Sequence, residues 1–112
     1  MTDVVRQLDI LDRVRVAARK KVLYLQHAAR QMSRPERMIS TSEVRRAINA
    51  GEVIEDYPKD PRGHSCLILG YGRDRRPIHV VCAPKPEFLA IITAYLPTED
   101  EWENDFSQRK KQ

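Results

Sequence analysis

The C-terminal half of the chain carries four short apolar runs separated by turns, and this order constrains the fold more than any other feature. The runs are rich in Val, Ile, Leu and Tyr, and they span residues 52–57, 65–71, 77–83 and 88–96. Pro, Gly and charged residues fill the intervals between them, as is typical of turns. Connections this short make neighbouring strands antiparallel, because a parallel return needs about a dozen residues or more. We therefore predict a four-stranded antiparallel meander.

Two helices are predicted upstream of this sheet from local patterns. Residues 40–43, Ser-Thr-Ser-Glu, have the form of a capping box, and Gly51 is a typical C-terminal stop. This pair of signals predicts a helix over about residues 41–50. Apolar residues at steps of three and four predict an amphipathic helix over residues 3–20.

A short basic helix is predicted between these two. It begins near Gln26 and ends by Pro35, and residues 22–25 before it could form an extended stretch. Helices that precede an antiparallel sheet are the available cover for one of its faces. We therefore expect an α+β fold, with N-terminal helices packed on the four-stranded sheet, and a single domain over residues 1–112.

The C-terminal tail carries a further helix-start pattern. Thr98 after Pro97 could act as the cap, with Glu101 at the third helical position. Trp102 and Phe106, four residues apart, would then share one face and pack against the sheet edge.

Basic residues are concentrated in the first half of the chain. Residues 1–50 contain eleven Lys or Arg against five Asp or Glu, whereas the whole chain has a net charge of only +4. Such a surface attracts phosphate backbones or an acidic protein partner, although a solvated helical face is the alternative reading.

Other sequence features narrow the class of protein. No apolar run is long enough for a membrane span or a secretory signal, so we expect a cytoplasmic protein with no membrane partner. Cys66 and Cys82 are sixteen positions apart without a Cys-x-x-Cys pair, which favours buried thiols over a zinc site. We expect no metal and no cofactor.

One combination of residues could carry chemistry. His27 shares a helix face with Arg30 and Arg34, at spacings of three and seven. Thr93 and Tyr95 alternate on one strand face, which we expect Leu89 and Ile91 to share. An imidazole could move protons while arginines hold a phosphodiester and the Tyr95 hydroxyl donates to it. The alternative is that these are ordinary packing residues.

His79 is a second histidine within an apolar run. If the last two strands pair with an even register, His79 and Thr93 face the same side of the sheet, although a slip of one residue would undo this. A buried core histidine is the other interpretation. His64, in a Gly-containing turn, is expected to be exposed.

The sequence resembles the bacterial family catalogued as domain of unknown function 4258. The resemblance extends over residues 24–109 and leaves the helix at 3–20 as a variable part. It is carried by His27-Ala28, Gln31-Met32, Ile39-Ser40, Glu43-Val44, Gly51 to Pro58, Cys66-Leu67, Leu69-Gly70, Arg76 to Val81, Ile92 to Tyr95, Pro97, Trp102, Asp105-Phe106 and Arg109.

This resemblance implies a fold similar to RelE- and MqsR-type toxins and a function as a metal-independent endoribonuclease toxin of a toxin–antitoxin system. His27 would be the general acid or base, and the ribose 2′-hydroxyl would be the nucleophile. Thr93, Tyr95 and His79 match the family's strand residues. The implied partners are RNA and an antitoxin, for which a small zinc-finger protein is a candidate. The alternative is a non-catalytic module of the same fold that binds RNA or protein.

The chain departs from the family pattern at one position. Many members carry an arginine four residues after the helix histidine, where this chain has Gln31 beside Arg30. Either Arg34 or Arg37 supplies the missing phosphate-binding charge, or catalysis is weak or absent.

Overall fold

A computed structural model describes the backbone of residues 3–111 and the side chains from Ile10 onward. In this range, three α-helices and one short strand precede four consecutive strands. Their bounds are α1 Asp3–Lys20, β1 Val22–Tyr24, α2 Gln26–Met32, α3 Thr41–Ala50, β2 Glu52–Tyr57, β3 Ser65–Tyr71, a 3-10 turn Arg73–Arg75, β4 Pro77–Pro84 and β5 Leu89–Tyr95. None of the helices in this range is both long and apolar enough to span a membrane.

The sheet has five strands in the order β1-β5-β4-β3-β2. The predicted antiparallel meander of β2 to β5 is confirmed. The prediction of a purely antiparallel four-stranded sheet is wrong, because β1 adds a parallel fifth strand in which Val22 pairs with Leu89 and Tyr24 with Ile91. A three-residue strand pairs here with a segment far along the chain, and no turn signal encodes such a pairing.

A β-bulge interrupts the pairing of β4 with β5. Val81 is opposite Thr93, but the next residue, Cys82, is opposite Ile91. Ile92 is therefore an extra residue on β5, and the alternation of side chains reverses at this point.

The bulge determines which face of the sheet each β5 residue occupies. Leu89, Ile91 and Ala94 all belong to the buried cluster that the helices cover. Thr93 and Tyr95 consequently lie on the opposite face. Our expectation that Leu89 and Ile91 share the face of Thr93 and Tyr95 is therefore wrong.

The helices cover one face of the sheet and form a single apolar core with it. Both cysteines belong to this core, where Cys66 and Cys82 are direct cross-strand neighbours and remain free thiols. A side-chain hydrogen bond with the Cys66 thiol and, after it, burial raise the pKa of the Cys82 thiol. The prediction of buried thiols is confirmed.

The C-terminal segment, defined as residues 97–111, lies on the opposite face of the sheet. It does not form the predicted helix. The backbone N–H groups of Glu101 and Trp102 both donate to the Thr98 carbonyl, and Trp102 then bridges to Arg109. The Trp102 side chain is 2 % exposed and packs on the sheet face rather than on its edge. Burial of this large indole overrides the local cap signal.

Glu43 links the start of α3 to the loop between β3 and β4. The predicted capping box is confirmed, since Ser40 Oγ accepts from the Glu43 N–H and Glu43 Oε1 accepts from the Ser40 N–H, each at 3.1 Å. The same carboxylate accepts from Arg76 at 3.0 and 3.1 Å and from the Arg73 N–H at 2.8 Å. Burial alone would raise the pKa of Glu43, but these hydrogen bonds outweigh burial and lower the pKa to about 2.

This network predicts a specific loss of stability in acid. The folded pKa of Glu43 lies below its ordinary value of 4.5, so its contribution is present above pH 4.5 and disappears as the pH falls towards about 2. The linked free energy of unfolding is about 3 kcal/mol. Glu43→Gln should lower stability by about that amount at pH 7 and flatten the pH dependence between 5 and 2, as measured by urea unfolding. Glu36→Gln is the control, because Glu36 forms only an exposed pair with Arg34. Equal acid sensitivity of wild type and Glu43→Gln would contradict the assignment.

Candidate functional site

An open groove of about 410 Å³ lies where α2, the end of β5 and the C-terminal segment meet. Most of its side chains are polar or charged, and they come from four separate parts of the chain. We call it the His27 groove; its lining residues are His27, Gln31, Arg37, Thr93, Tyr95, Glu101, Trp102 and Arg109.

Helix α2 forms one wall because β1 leads into it beside β5. The helix begins two residues after β1 ends and packs against β5. Its buried side carries Ala28 and Met32. His27 and Gln31, one helical turn apart, therefore face the groove.

The groove brings together the predicted residues His27, Thr93 and Tyr95. It does not include Arg30 or Arg34, the two arginines predicted from helical spacing. The helix ends at Met32, so a spacing of seven from His27 no longer means a shared face. Arg34 instead forms an exposed ion pair with Glu36 at 3.3 Å.

Arg37 provides the cation on the α2 side of the groove. Its Nη1 donates a short hydrogen bond to Oε1 of Gln31, and its backbone carbonyl accepts from Arg76 Nη1 at 2.7 Å. Arg76 is itself held by Glu43, so the capping box of α3 also fixes the loop that carries Arg37. Gln31 thus orients an arginine from the following loop. Of the two replacements considered from sequence, Arg37 lies in the groove and Arg34 does not.

Arg109 provides a second cation, which pattern reasoning missed. Glu55 accepts from its Nε at 2.9 Å and from its Nη2 at 3.1 Å, and the guanidinium lies 4.7 Å from the centre of the Trp102 ring. The hydrogen bonds to Glu55 are the largest cause of the raised pKa of Arg109. Glu55 and Arg109 are 54 positions apart, so no local pattern connects them. The only signal in the sequence was the family resemblance, which extended to Arg109.

His79 lies directly behind Tyr95 and is fully buried. Its Nε2 is 2.8 Å from the Phe106 carbonyl oxygen, which can only accept, so Nε2 carries the proton. Nδ1 then accepts from the Tyr95 hydroxyl at 3.2 Å. Trp102 packs against the imidazole at 4.4 Å between ring centres. His79 therefore supports Tyr95 from behind and does not line the groove.

This tautomer fixes what Tyr95 can do in the groove. The Tyr95 proton is directed at His79, so the lone pairs of the phenolic oxygen remain to accept a hydrogen bond. The sequence pattern predicts that Tyr95 donates to a phosphate, whereas this geometry favours the reverse role. Burial raises the pKa of Tyr95, which keeps the phenol protonated. The expected common face of His79 and Thr93 is confirmed by the pairing of β4 with β5.

His64 is the third histidine of the chain. His64 is only partly exposed, because its Nε2 contacts Asp56 at 2.6 Å and its Nδ1 contacts Arg13 at 3.1 Å. Our expectation of an exposed histidine is wrong, since α1 packs beside this turn. Within the described part of the chain, no three His, Cys, Asp or Glu side chains are grouped closely enough to hold a metal ion.

The comparisons with known proteins identify the family. The sequence model described as Domain of unknown function (DUF4258) matches residues 24–96, well over half of the chain. The protein therefore belongs to this family. Neither the curated proteins nor the solved structures contain a match. The matched region includes His27, Arg37, Thr93 and Tyr95 and ends before the C-terminal segment.

The burial of His79 predicts a pH dependence near neutrality. Burial is the main cause that lowers the pKa of His79 below 6.5, so the unfolded state binds this proton more tightly. Its contribution to stability is therefore complete above pH 6.5 and decreases as the pH falls below it. His79→Gln should lower the free energy of unfolding by about 1–3 kcal/mol at pH 7 and remove this slope.

Fluorescence of Trp102, the only tryptophan, can follow the unfolding. His27→Gln is the matched control, because it replaces an exposed imidazole that lies outside the buried core. A slope that persists in His79→Gln would show that another group causes it.

Proposed function

We propose that the protein is a metal-independent endoribonuclease that acts in the cytoplasm as the toxin of a toxin–antitoxin system. The observation that carries the proposal is the His27 groove, in which one exposed imidazole lies with two arginines and two strand hydroxyls. An imidazole exchanges protons near neutral pH, and arginine is suited to phosphate. Cleavage of an RNA phosphodiester by the neighbouring ribose 2′-hydroxyl requires groups of these kinds.

Each groove residue has a role that follows from its contacts. His27 acts as general acid or base. Arg37 and Arg109 bind the phosphate and offset the charge that develops in the transition state. Arg109 retains donors for this purpose, because Glu55 takes only Nε and Nη2 of its guanidinium. Thr93 orients the phosphate, whereas the Tyr95 oxygen can accept a hydrogen bond from the bound nucleotide.

The toxin role depends on the resemblance of the family to RelE- and MqsR-type toxins. Those toxins pair helices with a four-stranded antiparallel sheet, the arrangement that β2 to β5 have in this protein. The open position of the groove supports it, because a partner protein can cover the groove and block access to RNA. The partner would be an antitoxin, such as a small zinc-finger protein. Its acidic groups would match the basic excess of residues 1–50.

Cleavage should be direct and should not need a divalent cation. The purified protein with a chelator present should cleave mixed RNA, leave DNA of the same sequence intact, and produce 2′,3′-cyclic phosphate ends. His27→Ala should lower the rate by about 100-fold or more. Arg30→Ala, on the same helix but outside the groove, is the control and should change the rate by less than about threefold. Intact RNA under conditions where expression arrests growth would refute the proposal.

A binding measurement on the same two proteins tests the alternative function, a non-catalytic module that binds RNA or protein. In that case the wild type would bind RNA without cleaving it, and His27→Ala would bind equally well. Gel-shift measurement of both proteins distinguishes the two functions.

The arginines should differ according to their place in the structure. Arg37→Ala removes a groove cation and should lower the cleavage rate by about 10- to 100-fold. Arg34→Ala, three residues earlier on the same loop, should have little effect because Arg34 lies outside the groove. Gln31→Leu should behave like a weaker Arg37→Ala, since it removes the acceptor that orients Arg37. Equal loss in Arg34→Ala and Arg37→Ala would indicate general attraction of RNA instead.

A further inference from the structure

We propose that Glu101 is the second proton-transfer group of the His27 groove, acting as the general base while His27 acts as the general acid. This assignment rests on the proposed ribonuclease function. The sequence patterns place Glu101 only in a helix-start signal, and neither they nor the family resemblance give it a catalytic role.

The backbone holds Glu101 at the wall of the groove opposite α2. Its N–H donates to the Thr98 carbonyl at 3.2 Å, and its own carbonyl accepts from the Lys110 N–H at 2.9 Å. The next residue, Trp102, is anchored by burial against His79. The backbone of Glu101 is thus held at both of its peptide groups on an exposed turn, and its side chain lines the same groove as His27.

The chemistry of RNA cleavage calls for two such groups. One must take the proton of the attacking 2′-hydroxyl, and the other must protonate the departing 5′-oxygen. Among the eight lining residues, only one imidazole and one carboxylate belong to the side-chain types that most often act as general acids and bases. These are His27 and Glu101.

The other candidates are excluded by their contacts. The Tyr95 proton is directed at His79. Glu55 lies close by, but its carboxylate accepts from both Arg109 and Tyr57 and does not line the groove. Arginine does not lose its proton in this pH range.

The charges in the groove can accommodate a carboxylate at this position. Burial is the largest cause that raises the pKa of Tyr95, and the charges of Glu55 and Glu101 raise it further. Glu101 and Tyr95 line the same groove. Arg37 and Arg109 offset the repulsion between this carboxylate and the phosphate.

The proposed cleavage forms one bond to phosphorus, breaks another and transfers two protons. The 2′-oxygen forms a bond to phosphorus and its proton passes to the Glu101 carboxylate. The bond from phosphorus to the 5′-oxygen breaks, and the His27 imidazolium gives its proton to that oxygen. The products are a 2′,3′-cyclic phosphate and a free 5′-hydroxyl, and exchange with water restores both side chains.

Two RNA substrates of one sequence test this assignment, one normal and one with sulfur in place of the bridging 5′-oxygen. A thiolate leaves without protonation. With the sulfur substrate, loss of the general acid should therefore have little effect on the cleavage rate, whereas loss of the general base should still lower it. On normal RNA, Glu101→Gln and His27→Ala should each lower the rate by about 100-fold or more. The sulfur substrate should restore His27→Ala to within about tenfold of wild type and leave Glu101→Gln impaired.

Control variants separate chemistry from folding. Glu99→Gln, an exposed neighbour outside the groove, should match wild type. Glu101→Ala should regain activity when formate is added, because a free carboxylate can replace the lost base. Trp102 fluorescence confirms that each variant is folded.

The outcomes distinguish this proposal from the function on which it rests. A wild type that cleaves neither substrate refutes both. A wild type that cleaves normal RNA, together with an active Glu101→Gln, overturns the role of Glu101 alone. Rescue of Glu101→Gln rather than His27→Ala by the sulfur substrate would show that the two roles are reversed.

Discussion

The parallel pairing of β1 with β5 is the interaction on which the candidate site depends. It joins only three residues of each strand, yet it decides where the chain enters α2. With β1 at the sheet edge, α2 packs on β5 and presents His27 to the strand that carries Thr93 and Tyr95. Without this pairing, the imidazole and the hydroxyls would belong to separate parts of the molecule.

The polar groups of the groove are held by partners that lie behind the groove or at its margin. Gln31 orients Arg37, Glu55 holds Arg109 and His79 directs the proton of Tyr95. Groups that are fixed before a substrate binds need little reorganisation during a reaction, which is the usual basis of electrostatic stabilisation. The buried imidazole of His79 directs the Tyr95 hydroxyl through a hydrogen bond and does not line the groove.

The two walls of the groove have different origins in the chain. The wall formed by α2 and β5 lies within residues 24–96, the region that matches the family. The other wall is the C-terminal segment, which supplies Glu101, Trp102 and Arg109. Trp102 connects the walls physically, because its ring packs on His79 and supports the guanidinium of Arg109. A single buried indole therefore attaches one set of charges to the other.

The sequence by itself determined the elements whose signals are local. The capping box at Ser40, the stop at Gly51 and the turns between the last four strands specify α3 and the meander almost residue by residue, because each depends on neighbours in the chain. Only the tertiary structure decided the placement of β1, the bulge at Ile92 and the packing of Trp102 in place of a helix at Thr98. It also replaced Arg30 and Arg34 with Arg37 and Arg109 as the cations beside His27. These features depend on contacts between distant segments, and spacing along a helix or strand carries no information about such contacts.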